Sequence, residues 1–319
     1  MQNNIKYVLK IITPIFIGIF CIYYSFSKID FFEVKNYFFK INYNWVIAGI
    51  FLGALSHISR SYRWKLLLQP LGFKLGIINS ILSVFSAYLI NYTIPRAGDV
   101  ARGKIISDYE KIPFEKCIGT IIAERIVDVI CIIILILISL IIEYDKVSDS
   151  LNKIFQNFDV ESNIIAVLAF FTIVIFIYKF LKKLLFKRFK NFMAGLKDGL
   201  IVIFKMKNKL EFLTHTIFIW VLYVLMFYFT SKAFTDLIDL SFYKIMVSFT
   251  LAALSIIFSN GGIGIYPLAV EESLGWYGID SVTGLAFGWV SWLSQTLMVI
   301  IFGGLSLFIL PFINRTKVI

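Results

Sequence analysis

The stretch NYTIPRAGDVARGK, residues 91–104, closes an apolar run with a proline, two glycines, an aspartate, two arginines and a lysine. Pro95 stops a helix because it lacks an N–H and clashes with the preceding turn, and Gly98 lets the chain bend. Arg96, Asp99 and Arg102 then recur every three residues, so a short second helix would carry all three on one side. What a charged helix break can do depends on its surroundings.

Those surroundings are apolar. Of 319 residues, 59% are hydrophobic and 16% charged, with a mean hydropathy of +0.83. A soluble domain of this size needs a polar exterior that such a composition does not supply. The chain reads as one integral membrane domain, 1–319, and as all-α, because long apolar segments cross a bilayer as helices. Eight segments approach the roughly 20 residues a span needs: 11–27, 43–57, 76–94, 120–142, 162–180, 213–231, 245–258 and 284–311. The first lacks a small-residue cleavage pattern and reads as a retained helix flanked by Lys6 and Lys10. Cys21, Cys117 and Cys131 have no CxxC spacing and read as packing residues, while His57 and His215 stand apart. No metal and no other cofactor is expected.

The net charge of +11 reads as membrane topology and not as nucleic-acid binding, because the basic residues gather in particular connections. Arg60, Arg63, Lys65 and Lys74 follow the second segment without an acidic residue, which assigns that connection to the cytoplasm. Connection 143–161 is acidic and belongs outside; 179–211 is basic and belongs inside. Parity then requires 76–94 to enter and leave on the cytoplasmic side, and 245–280 to begin and end outside. The expected fold is a polytopic helical bundle of about six spanning helices plus two oppositely oriented re-entrant elements, with an inverted repeat. The alternative is eight plain spans, which would put the basic connection outside. Both versions leave both termini cytoplasmic. Segment 179–212 suits either a helical connection on anionic headgroups or a solvated helical hairpin.

Charged side chains within hydrocarbon are costly and persist where they meet partners or water. In TIIAERIVD, residues 120–128, Glu124 and Asp128 share a helix face and Arg125 lies three before Asp128. This cluster reads as a clamp pairing with Arg96 or Arg102, or as a proton- or ion-coupling site. Arginine grips phosphate through a bidentate fork, so Asn91, Arg96, Asp99 and Arg102 beside a helix break form a candidate lipid- or anion-binding site. The bland reading is an interfacial anchor that snorkels to the headgroups. In the second half, SNGGIGIYPLAVEESLGWYG, residues 259–278, places Gly261, Gly262, Gly264 and Pro267 where no continuous helix can form, with Glu271 and Glu272 beyond. Its spacing is not that of a nucleotide loop.

Four motifs in order, RSYRWKLLLQPLG at 60–72, NYTIPRAGDVAR at 91–102, AERIVD at 123–128 and NGGIGIYPLA at 260–269, carry a resemblance. The chain resembles the lysylphosphatidylglycerol synthase transmembrane region family, also called flippase-like membrane proteins, over nearly its whole length. The resemblance implies a lipid-translocating membrane module without the fused aminoacyltransferase. It matches Asn91, Pro95, Arg96, Gly98 and Arg102 to the family motif, and Glu124, Arg125 and Asp128 to the charged helix. Asp99 stands where the family usually has Glu, and Asn260-Gly261-Gly262 where it often has Pro-Gly-Gly with a glutamate.

The function expected is a lipid translocase or lipid-binding transporter of the bacterial inner membrane, acting on an anionic phospholipid, glycolipid or polyprenyl-phosphate-type lipid. Two rivals stand beside it: a non-transporting accessory subunit of an envelope glycolipid pathway, and a membrane glycosyl or lipid transferase. The last lacks a DxD pair, a phosphate loop or a soluble domain in the sequence, so no catalytic residue and no enzyme is expected. The expected partners are membrane lipids, with a homo-oligomer or an envelope-biosynthesis protein left open, and no nucleic acid.

Overall fold

The computed structural model describes residues 19–27, 29–94, 97–144, 201–257 and 259–315, and every regular element among them is helical. Beyond the helical stretches at 19–27 and 201–205, the elements are α1 (Phe31–Lys40), α2 (Tyr43–Leu68), α3 (Ile77–Thr93), α4 (Gly98–Glu110) and α5 (Phe114–Ile142). After the basic connection come α6 (Lys209–Ser231), α7 (Phe242–Ser255), α8 (Ile265–Gly275) and α9 (Ser281–Ile313).

Local chemistry sets several ends. Asp30, Asn42 and Asp280 cap α1, α2 and α9, accepting the N–H groups of Phe32, Asn44 and Thr283 at 2.9, 3.0 and 2.9 Å. Helix α4 stops where Lys111 turns left-handed at φ 57°, and Pro113 caps α5. Between α7 and α8, Gly261, Gly262 and Gly264 all have φ between 63° and 79°, a region costly for any residue with a Cβ.

Among the described residues, α2–α5 and α6–α9 each run as a long helix, a hairpin of two shorter helices and a second long helix. In the first, long α2 descends to a lower end, short α3 turns inward, α4 returns beside it, and long α5 rises. Asn79 and Glu110 meet at the base of the α3–α4 hairpin (2.5 Å), while Gly98 at its tip lies so close to α3 that a Cβ there would collide with the Ala87 carbonyl and stand 2.7 Å from the Asn91 amide. In the second half α6 rises, α7 turns inward, α8 returns and α9 descends. The base of the α7–α8 hairpin is at the upper end, where the Lys244 ammonium lies 5.3 Å from the Tyr277 ring centre.

The hairpin tips meet. Trp292 donates to the Gly261 carbonyl at 2.7 Å, Thr296 donates to the Tyr92 hydroxyl at 3.1 Å, and a Cβ on Gly261 would stand 2.9 Å from the Tyr92 ring. Antiparallel α2 and α6 pack together, letting Gly49 approach Thr230 and Gly53 approach Met226. At the lower end Asn79 and Asn314 exchange two amide hydrogen bonds of 2.9 and 2.8 Å, fastening the first hairpin to the end of α9.

Among the described residues, α5, α6 and α9 are long and apolar enough to cross a membrane, and the α1–α2 pair, bent by 87°, makes a fourth candidate. Their outward residues are apolar: Ile130, Ile134 and Leu137 on α5, and Leu297, Ile301 and Leu305 on α9, are all exposed. The expected segment 162–180 lies outside the described residues. One expectation is corrected: the segment 43–57 continues to Leu68, so Arg60 and Arg63 are not loop charges but buried residues of α2. They stay helical and dry because carboxylates on α5 await them.

Candidate functional site

Arg60 and Arg63 sit three apart on α2, and Glu124 and Asp128 four apart on α5, so each pair shares a face. Arg60 donates to Glu124 at 2.8 Å and to Asp128 at 2.6 Å; Arg63 donates to the same two at 2.9 and 2.8 Å. Each guanidinium therefore bridges both carboxylates. Arg102, from the returning arm of the hairpin, reaches the other Glu124 oxygen at 3.2 Å. Arg125 donates to Asp99 at 2.9 and 3.1 Å and to Asp128 at 3.3 Å. The network ties α2, α4 and α5 together.

Burial grades across it. The Glu124, Arg63 and Arg102 side chains are at most 1% exposed, Asp128 is 12% exposed, and Arg125 and Asp99 are 36% and 37% exposed. A lone charge at the dry edge would be prohibitive, and the surrounding opposite charges offset that cost. Four guanidiniums face three carboxylates, so among the described residues the network holds one surplus positive charge. Arg102 Nε and Nη2 are buried and have no hydrogen-bond partner, as are Arg60 Nε and Arg63 Nε. The Arg102 guanidinium is 3.8 Å from the Trp64 ring centre, and Trp64 Nε1 is fixed by Thr120 at 2.9 Å. Tyr223 accepts from Arg60 at 3.1 Å.

Asn91 serves the break itself, its side-chain oxygen accepting the Gly98 N–H at 2.7 Å. Pro95 and Arg96 lie outside the described residues. Glu124, Arg125, Asp128, Asp99 and Arg102 come together, with Arg102 paired to Glu124 of the charged helix at 3.2 Å. Gly261, Gly262 and Gly264 form the other tip, and Pro267, Glu271 and Glu272 belong to α8, where Pro267 and the Glu271 backbone pack on Gly288 and Gly284 of α9. That acidic pair is not among the residues of the arginine network. His57 is enclosed by Tyr88 and Phe85, at 4.2 and 5.4 Å between ring centres.

Sequence reasoning missed Arg60, Arg63, Trp64 and Tyr223 as members of the site. The available signal was spacing: two arginines at i and i+3 complement two carboxylates at i and i+4 on another apolar helix.

A family model described as "Lysylphosphatidylglycerol synthase TM region" matches residues 11–303. The chain belongs to this family. The match takes in both hairpins and every member of the arginine network. Over 124 residues the chain is 28% identical to a UPF0104 membrane protein of Methanocaldococcus jannaschii, a stretch covering 38% of this chain and 35% of that protein. No solved structure matches the chain.

Proposed function

We propose that this protein is a lipid translocase or lipid-binding transporter of the bacterial inner membrane. Its cargo is an anionic phospholipid, glycolipid or polyprenyl-phosphate-type lipid, and it performs no covalent chemistry. The observation that carries this reading is Arg102: a buried guanidinium whose Nε and Nη2 have no hydrogen-bond partner, in a network with surplus positive charge, on the arm that returns from a helix break. A phosphate offers the oxygens those N–H groups lack.

Helix lengths support re-entry. The arms α3, α4, α7 and α8 have 17, 13, 14 and 11 residues, about 17–26 Å at 1.5 Å per residue, against a hydrocarbon core of about 30 Å. Two hairpins entering from opposite ends and meeting at their tips are the arrangement of an inverted-repeat transporter with a midplane site. Orientation follows from charge. Among the described residues the lower end carries Lys74, Lys111, Lys116, Lys205, Lys207, Lys209 and Arg315, with Glu110 among them, against fewer cations, Lys35, Lys40, Lys232 and Lys244, beside Asp30, Glu33, Asp236, Asp239 and Asp280 at the upper end. The lower end is therefore assigned to the cytoplasm, the side on which the sequence topology also puts both termini.

The test is translocation of a labelled anionic lipid in proteoliposomes by wild type, Arg102→Lys and Arg102→Ala. Lysine keeps the charge and loses the fork, so binding should weaken by about 1–3 kcal/mol, and alanine should do worse. Wild-type behaviour of folded Arg102→Lys would remove the assignment of Arg102. Retained lipid without translocation would favour the accessory-subunit reading.

A further inference from the structure

Helix α1 divides into three faces. Val34 and Phe38, with Ile41 just past the helix end, pack inward, Val34 and Ile41 being buried; Phe32 and Phe39 are 67% and 77% exposed, with exposed Lys35 one turn from each on the same side, its stem able to lie along them and its ammonium to reach the headgroups; Glu33, Asn36, Tyr37 and Lys40 share the third side. Because α1 is bent 87° from α2, it runs across the axis of the bundle, as an amphipathic helix does in the plane of a membrane interface. Tyr43 and Trp45, both exposed, begin α2 beside it as an aromatic belt would. The two exposed phenylalanines fit the acyl boundary, which sets the polar side at headgroup depth.

That polar side lines a cleft of about 530 Å³, closed opposite by Ala233, Phe234, Thr235 and Asp236 after α6 and by Val282 of α9. Tyr37 braces it, its hydroxyl donating to Asp236 at 3.0 Å and lying 2.6 Å from the Thr283 hydroxyl. The charges are mixed: carboxylates at Glu33 and Asp236, an ammonium at Lys40. Two acceptors and one donor in one cleft suit a ligand that carries a cation and an anion a few bonds apart.

We propose that this cleft holds the headgroup of a zwitterionic glycerophospholipid with a primary ammonium, drawn from the leaflet at the upper end. Glu33 and Asp236 receive the ammonium N–H groups, Lys40 meets the phosphodiester, and the acyl chains lie along the Phe32 and Phe39 side of α1. A trimethylated headgroup has no N–H to donate and an anionic headgroup meets two carboxylates, so both bind less well. The site is independent of Arg102 and of transport.

The experiment is lipid retention by native mass spectrometry after reconstitution with equal parts of phosphatidylethanolamine, phosphatidylcholine and phosphatidylglycerol. Wild type should retain phosphatidylethanolamine over phosphatidylcholine by roughly tenfold, the factor one charge-assisted hydrogen bond supplies. The Glu33→Gln/Asp236→Asn double variant should lose that preference, while Phe39→Ser should retain less of all three. Because Glu33 and Asp236 are exposed, the double variant should fold, and unchanged thermal unfolding in detergent checks this. Equal retention of phosphatidylethanolamine and phosphatidylcholine by wild type, or an unaltered preference in the double variant, overturns the site. Displacement of the lipid by micromolar soluble phosphoethanolamine overturns the lipid as its occupant.

Discussion

Glu124 is the residue on which the arginine network depends most, since Arg60, Arg63 and Arg102 all donate to it where water is excluded. Glu124→Gln leaves three guanidiniums facing an amide that holds no charge. Stability should fall by about 3–5 kcal/mol, the usual cost of breaking a buried pair. Asp99→Asn alters the wet edge, where solvent screening reduces an ion pair to roughly 1 kcal/mol or less. Thermal unfolding in detergent should separate the two variants widely. Equal shifts would mean that burial does not grade the network as described. At this scale the sequence was partly legible: Glu124, Arg125, Asp128 and Arg102 announce themselves as charges among apolar neighbours. Arg60 and Arg63 resemble loop cations until partners 61 to 68 residues away are in view.

The elements most readable from sequence are the two hairpin tips, because proline and clustered glycine forbid a straight helix whatever surrounds them. What could not be read is how closely the arms approach. Gly98 is required by contact and not by its dihedral angles, since a Cβ would drive α4 away from Ala87 and Asn91. Gly98→Ala should therefore destabilise the protein by about 1–3 kcal/mol. Gly304, inside α9, has no atom within 4 Å of the place a Cβ would take. Gly304→Ala should be neutral or stabilise by about 0.5–1 kcal/mol, as glycine in a helix costs backbone entropy. Detergent unfolding of the two variants should shift in opposite directions or by clearly unequal amounts; parity between them would contradict the close packing of the first tip.

For the whole molecule, the proposed orientation makes the two ends chemically distinguishable from outside the cell. With Cys21, Cys117 and Cys131 replaced, a cysteine at Lys74 should resist an impermeant thiol reagent in intact cells, and one at Asp239 should react. Reaction at Lys74 would overturn the assignment of the lower end. The two halves share an order of helices but not a filling. The first is held by arginines and carboxylates, the second by rings, with Phe227 4.7 Å from Phe287 and 5.8 Å from Phe249 between centres. In the sequence, the expectation of related halves rests on the order of long and broken segments. The unlike fillings become visible only when the helices are packed.

The Asn79–Asn314 pair has a consequence for how that end could part. Amides carry no net charge, so neither a transmembrane voltage nor a proton gradient does work on that pair directly. Its release costs two neutral hydrogen bonds, each about 0.5–1.5 kcal/mol, and water can replace both as it enters. A clasp of this kind has no charge of its own through which an energy supply could act, so any such response must enter through a carboxylate, the nearest being Glu110, to which the Asn79 amide also donates at 2.5 Å.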